Sequence, residues 1–533
     1  MMNPSTPRAG RREWTAFTVL LLPLLLVSMD TSVLFFAVPA ITRDLGASST
    51  QQLWIFDSYA FALAGLLMTM GSLGDRIGRR KLLLLGAAAF GTASVAAAYA
   101  QSAEMLIAAR FMLGIGGATL MPSTMGLVRN MFRDDAQRAK AVGIWSAAMA
   151  GGIALGSVLG GVMLKHFWWG SVFLLNVPAM VLLLVCAPLL VPEFKDPRPG
   201  RFDLPSVVLS MGAVLPTIYG IKEMAADGFS VPRLLCLLAG LALGVAFVRR
   251  QRGGRSAMIS RELFRDRAFG AGIGLNTLAM FAMMGSSYFT TQYLQSVLGK
   301  GPLEAALWGT LPSLAVGAAG PLATVAAQRV DRAYVIATGF VITAAGFALL
   351  LGTDASSLTL TLISCAVIAC GIVTVAALVS DLALGATPPE KAGSAAALLE
   401  TGQEFGGALG MAVFGTIGMA VYRRDVSDSL SPALPHGELD TVRETLTGAA
   451  AVAGRLPGRS GEAVLSVARD GFVHGMHVAA VGAAVVLLAG AVMSVRLLRG
   501  RAAAPAAPAE EPAEVPAEVP AEVPAEVPVA AGR

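Results

Sequence analysis

The feature that most constrains this chain is a series of apolar runs, each about 20 residues long, separated by short loops that hold most of the lysines and arginines. A run of that length crosses the hydrocarbon core of a bilayer as an α-helix. In lipid, backbone polar groups must be satisfied within the structure, which leaves helices and closed barrels. A barrel needs short segments of alternating polarity, and these runs do not alternate. The expected fold class is therefore an all-α membrane protein. Composition agrees: 55% of the 533 residues are hydrophobic and 14% are charged, against roughly a quarter charged in soluble chains. The 59 glycines suit close approach of helices.

Fourteen spans are predicted, near residues 15–39, 52–74, 82–100, 105–128, 140–163, 170–192, 203–222, 233–250, 269–292, 304–327, 333–351, 358–380, 394–420 and 474–497. The first run is too long for a signal-peptide core and carries Asp30, so it is kept as a span. An even number of spans puts both termini on one side. With the termini in the cytoplasm, cytoplasmic segments hold 28 of the 40 Lys and Arg residues and outer segments hold 11, six of them in one long loop at 421–473. That excess sets the orientation in a cytoplasmic membrane. Asp75-Arg76 after span 2 is echoed by Asp331-Arg332 after span 10. The echo suggests a repeat of the kind that builds secondary transporters. The halves would be spans 1–6 (15–192) and 9–14 (269–497), with spans 7 and 8 (203–250) inserted between them. Residues 1–14 form a cytoplasmic N-terminus. The tail at 498–533 repeats PAEV four times, an extended Pro/Ala/Glu-rich segment with no core of its own.

A pI near 9.1 raises the question of nucleic acid. The basic residues lie in loops between spans, not on a basic helix with interleaved aromatics, so no nucleic-acid partner is expected. Cys186, Cys236, Cys365 and Cys370 all sit within apolar runs and have no metal-binding spacing. His474 and His477 share a face at the start of span 14 and read as interfacial residues. There is no phosphate-binding loop and no nucleophile or cofactor constellation, so neither an enzyme nor a metal or cofactor site is expected.

The chemistry is carried by acids inside the spans. A charge at the bilayer centre costs at least ~2.5–3.5 kcal/mol and is seldom kept without a function. Asp30 lies in span 1, Asp57 in span 2, and Glu400 and Glu404 in span 13. The last two are four residues apart and share a helix face. Burial and a like-charged neighbour both favour the neutral form of a carboxylate, which makes such a site exchange protons near neutral pH. The same acids can pair with a cationic small molecule. A site that holds either a proton or a cation is a minimal antiporter. Arg110 is the one strong base within a span and can offset an acid or bind carbonyls; Gly114, Gly116 and Gly117 thin the same helix. The loop GSLGDRIGRRK holds Asp75, placed to face a helix N-terminus or an arginine and so latch a cytoplasmic gate. Gly152, Gly156, Gly160 and Gly161 in span 5 form a small-residue stripe suited to packing between moving halves.

Taken together these residues resemble the major facilitator superfamily, and within it the fourteen-span drug:proton antiporters that include quaternary-ammonium and multidrug efflux pumps. The resemblance covers roughly residues 15–497. GSLGDRIGRRK is similar to the superfamily's loop motif at Gly71, Leu73, Gly74, Asp75, Arg76, Gly78, Arg79 and Arg80. MDTSVLFFAVPAI resembles the group's span 1 motif at Asp30, Thr31, Val33, Ala37 and Pro39, with Phe35 in place of an asparagine. RFMLGIGGA resembles the span 4 motif built around an arginine, which implies a proton-relay role for Arg110. The stretch His166 to Pro178 is also typical of the group. GIALGSVLGG follows the span 5 motif, with Ser157 where the motif has proline. Span 10 has no acid beyond Glu304, which implies that divalent cations are not favoured.

The family implies a major facilitator fold of two six-helix bundles plus two inserted helices. It implies a monomer in the lipid bilayer, with small molecules and protons as partners and no cofactor beyond the proton gradient. The expected function is proton-coupled efflux of hydrophobic, often cationic, drugs or antibiotics. A proton-coupled importer of a small organic solute and a non-transporting membrane sensor remain the alternatives.

Overall fold

A computed structural model describes residues 9–195, 204–227, 230–253, 267–385, 392–431 and 434–500. The PAEV tail, most of the N-terminus and Lys391 lie outside the described residues. The described elements are helical, with no strand among them. In chain order they are α1 (Arg11–Leu45), α2 (Ser49–Ile77), α3 (Arg79–Ala98), α4 (Ala103–Met131), α5 (Asp135–His166), α6 (Ser171–Leu174), α7 (Asn176–Leu190), α8 (Leu204–Asp227), α9 (Val231–Gly253), α10 (Arg267–Gln292), α11 (Pro302–Ala327), α12 (Arg332–Leu350), α13 (Leu358–Gly385), α14 (Ala392–Leu430), α15 (His436–Glu444), α16 (Leu446–Ala453) and α17 (Gly458–Leu498). A π-helical turn, Tyr293–Val297, ends α10.

Ten of the described helices are long and apolar enough to cross a bilayer, and α2, bent by 54° between Leu67 and Thr69, makes an eleventh if its two parts form one span. Helices α8, α9 and α11 also fall on predicted spans, so the count of fourteen turns on these three. Large apolar side chains point outward at high exposure, among them Leu189 at 70%, Leu322 at 66% and Val485 at 62%. Such a surface is tolerable in lipid and a liability in water.

Polar residues at the chain's turns start and stop the helices. Ser48 and Gln51 form a reciprocal cap on α2: the Ser48 hydroxyl accepts from the Gln51 N–H at 3.2 Å, and Gln51 Oε1 accepts from the Ser48 N–H at 3.0 Å. Ser102 opens α4 and Asp134 opens α5 in the same way, at 3.2 Å and 2.9 Å. Gly46 ends α1 in the left-handed conformation, φ +63°.

Helices α1–α7 pack as one group and α10–α17 as another. The small residues of α5 lie against α1, where a side chain at Gly152 would meet Leu25 and Ser28, one at Gly156 would meet Met29 and Ser32, and one at Gly160 would meet Val33. Gly161 instead faces Leu303 of α11, in the other group. Most of the stripe therefore holds one half together, and Gly161 alone of the four touches across. Ser157 is half-buried and donates its hydroxyl to the Ile153 carbonyl at 3.1 Å, within a continuous α5.

The inserted pair α8–α9 packs along the seam between the halves. Leu215 of α8 joins Phe61 of α2 and Ala408 and Ala412 of α14 in one small cluster. Trp54 of α2 lies 6.3 Å from Tyr219 of α8.

The expected outer loop at 421–473 is shorter than the sequence suggests. Helix α14 runs on to Leu430 and α17 already begins at Gly458, leaving α15 and α16 as a two-helix cap. The Tyr422 hydroxyl donates to the Val442 carbonyl at 2.7 Å and ties that cap to α14. The extra turns are amphipathic, so a search for purely apolar runs stops before they do.

Candidate functional site

The centre of the α1–α7 group holds a buried ion pair. Arg110 of α4 donates to the Asp30 carboxylate of α1, and the two side chains are 1% and 2% exposed. Arg110 also donates through Nε to the Ile55 carbonyl at 3.1 Å. Its guanidinium carbon sits 4.3 Å from the ring centroid of Tyr59, within the range of a cation–π contact. Two charges leave water at a cost of several kcal/mol each, repaid only with good geometry and further hydrogen bonds. Here an acid, a carbonyl and an aromatic face all converge on one guanidinium. The glycines after Arg110 make this possible: a side chain at Gly114 would meet the Tyr59 backbone, and one at Gly116 would meet Phe90 of α3.

Glu400 and Glu404 lie on α14, in the other half, and both are partly exposed. One and two turns beyond Glu404 on the same face, Ala408 and Ala412 pack against Phe61 of α2. The acids thus continue a stripe aimed at the opposite half. Glu400 Oε1 is removed from solvent and has no hydrogen-bond partner among the described residues. The close seat of α14 on α10 rests on Gly402 and Gly406, where a side chain would strike Thr277.

Asp57 is fully buried on α2. It lies within electrostatic range of Tyr288 on α10. Of the five predicted ionisable residues, then, Asp30 and Arg110 meet directly, Glu400 and Glu404 lie one turn apart on α14, and Asp57 belongs to neither of these two groups.

The α2–α3 loop is tied down at several points. Gly71 lies opposite Pro122 of α4 and Gly74 against Leu82 of α3. Asp75 pairs with Arg79 at 2.6 Å, and Arg79 Nη1 donates to the Pro122 carbonyl at 2.9 Å. Arg76 sits in the last turn of α2. Arg80 donates to the Pro188 and Val191 carbonyls at 3.3 Å and 3.1 Å. Of the two partners expected for Asp75, a helix N-terminus or an arginine, it takes the arginine, and the α3 N-terminus is held by Glu193, which sequence reasoning missed. Its carboxylate accepts from the Arg80 and Lys81 N–H groups at 2.9 Å and 3.1 Å. A carboxylate there satisfies unpaired donors and the helix dipole together. Gly78 between the helices has φ +111°, and a side chain on it would collide with the Glu193 carboxyl. Nothing in VPEFKD marks Glu193, because it follows a span and looks like an ordinary loop acid. Asp331, which echoes Asp75 in the sequence, instead caps α12 through the Ala333 N–H at 2.9 Å. The two Asp-Arg echoes differ in their contacts.

At the opposite end the halves are joined. Arg423 Nη2 of α14 donates to Ser49 Oγ of α2 at 2.7 Å, and to Glu444 of α15 at 2.9 Å and 2.7 Å. Leu53 of α2 fills the space beside Gly415 of α14. Phe56 of α2 meets Tyr288 of α10 edge-on at 6.0 Å. His474 and His477 separate: His474 pairs with Asp425 at 2.6 Å, and His477 contacts Thr353 at 3.3 Å. Among the described residues no group of acids, cysteines and histidines could hold a metal ion.

The model of the Major Facilitator Superfamily matches residues 20–411. The multidrug efflux pump LfrA of Mycolicibacterium smegmatis is 42% identical over 494 residues, covering 92% of this chain and 97% of that protein. The methyl viologen resistance protein SmvA of Salmonella typhimurium is 34% identical over 487 residues, covering 90% and 97%. Among solved structures, a bacterial homolog of the human lysosomal transporter Spinster, inward-facing and unoccupied, superimposes with a TM-score of 0.66 at 18% identity, over 92% of this chain and 98% of that one. This last likeness concerns the fold alone.

Proposed function

The chain belongs to the Major Facilitator Superfamily, and from that premise we propose that it exports hydrophobic, often cationic, small molecules in exchange for protons. It is a multi-pass membrane transporter and not an enzyme. Two relatives that match over nine-tenths of the chain are an efflux pump and a resistance protein. The finer reading follows the sequence: fourteen spans as in the drug:proton antiporters, a cytoplasmic membrane, both termini inside, a monomer, and no cofactor beyond the proton gradient.

The observation that carries the exchange reading is the pair Glu400 and Glu404, two partly exposed acids one turn apart on the face of α14 that turns toward α2. An acid that loses its proton there offers a charge to a lipophilic cation in surroundings where the attraction is stronger than in water. Asp30 and Arg110 are the second element, a buried pair whose partners can separate if Asp30 takes a proton. With the Arg423–Ser49–Glu444 end outside, this conformation is closed outward, and the α2–α3 loop stands at the cytoplasmic gate.

Transport into everted membrane vesicles tests the whole reading. An imposed inside-acid gradient should drive uptake of ethidium, and collapse of the gradient should abolish it. Uptake driven only by the reverse gradient would establish an importer, and no gradient-dependent movement would leave a sensor.

A further inference from the structure

The two acidic sites lie in different halves, and one residue stands between them. Tyr59 of α2 is 2% exposed. One face of its ring carries the Arg110 guanidinium, at 4.3 Å from the centroid. Its hydroxyl is buried and has no hydrogen-bond partner among the described residues. The charged groups within electrostatic range of it come from three helices: Asp30 on α1, Arg110 on α4 and Glu404 on α14. Asp57, two residues away on α2, lies on another face of that helix. Gly117 of α4 lies beside the hydroxyl, where any side chain would intrude. The Tyr59 hydroxyl thus keeps its place in the packing without a partner in this conformation.

An unsatisfied buried hydroxyl is expensive and uncommon. It is explained if the partner arrives when the halves move. We propose that Tyr59 is a positioning residue that couples the two sites, donating its hydroxyl to the Glu404 carboxylate when that acid is ionised while its ring holds the Arg110 guanidinium beside Asp30. The proton state of one half is thereby felt in the other. The inference rests on the reading above, in which Glu404 exchanges a proton for a cation.

The consequence has a sign. A hydroxyl that donates to the ionised acid favours the ionised form. Its removal lets a proton compete better with a bound cation. Binding of tetraphenylphosphonium to the purified full-length protein is measured from acidic to alkaline pH. In the wild type, affinity should fall as pH is lowered. In Tyr59→Phe the ring stays and the hydroxyl goes, so the midpoint should move up by about one pH unit, a roughly tenfold change in proton competition. Affinity at alkaline pH should match the wild type. If Tyr59→Phe does not fold, 2,3-difluorotyrosine placed at position 59 keeps the shape and makes the hydroxyl a stronger donor, and the midpoint should move down. A pH-dependent wild-type curve on which the variant curves superimpose overturns the coupling and leaves the exchange site standing. A flat wild-type curve overturns both.

Discussion

Asp30 and Arg110 lie 80 residues apart in the chain and form an ion pair whose side chains are 2% and 1% exposed. The pair explains why the α1 motif and the α4 motif occur together: neither charge is tolerable in that core without the other. Loss of one partner from a buried pair costs about 3–5 kcal/mol. Asp30→Asn should therefore abolish gradient-driven efflux and also lower the melting temperature. The double variant Asp30→Asn/Arg110→Gln should recover much of the stability and none of the coupling. Thermal unfolding in detergent, beside vesicle transport, separates the two effects; a double variant that pumps at the wild-type rate would remove the pair from the mechanism.

Glu400 and Glu404 are separated by about 6 Å along α14, at 1.5 Å per residue. Glu404 lies nearer the middle of its span. Glu404→Gln should narrow the substrate range toward neutral compounds, with cationic dyes lost first. Glu400→Gln should flatten the pH dependence of efflux and have the milder effect on range. Dye efflux and competition by a neutral drug, followed across pH, check both; equal loss of cationic and neutral substrates in the two variants would make the pair one titrating unit.

Gly78 holds a backbone conformation that other residues reach only with strain, and it faces the Glu193 carboxyl. Gly78→Ala should cost about 1–3 kcal/mol from the backbone alone. Glu193→Ala strips the cap from α3. It should slow turnover severalfold at unchanged substrate affinity, and so should Asp75→Asn, which leaves Arg79 without its acid. Binding and single-turnover measurements on the same preparations distinguish this from a loss of affinity, which would contradict a gate role.

Arg423 bridges the halves through Ser49 and Glu444, and Glu444 is 39% exposed. A pair that exposed is worth at most about 1 kcal/mol, and salt weakens it. Arg423→Gln should therefore shift the closed end toward open by roughly two- to fivefold. Thr416 lines the cleft beside this contact and is 6% exposed. A Thr416→Cys reporter should react faster with an impermeant thiol reagent from outside in the Arg423→Gln background, and faster still at high salt. An unchanged rate would show that Leu53, Gly415 and the aromatic pair close this end unaided.

The sequence by itself determined the class of fold, the ionisable residues that fall inside spans and the loop motif. Each of these is a local signal. A 20-residue apolar run has one stable form in lipid; an acid within such a run is costly enough to stand out, and Gly78 announces a turn. What only the tertiary structure decided is pairing. Asp30 and Arg110 were both visible, yet nothing in spacing alone set them against each other, because the contact is made by helix packing across 80 residues. Tyr59 gave no signal in an apolar run, and it matters only because Arg110 covers its ring. Glu193 and Glu444 read as plain loop acids until folding set one on the α3 N-terminus and the other beside Arg423. The physical reason is the same in each case. The cost of a buried charge is written in the local sequence, whereas its compensation comes from whichever helix the fold brings alongside.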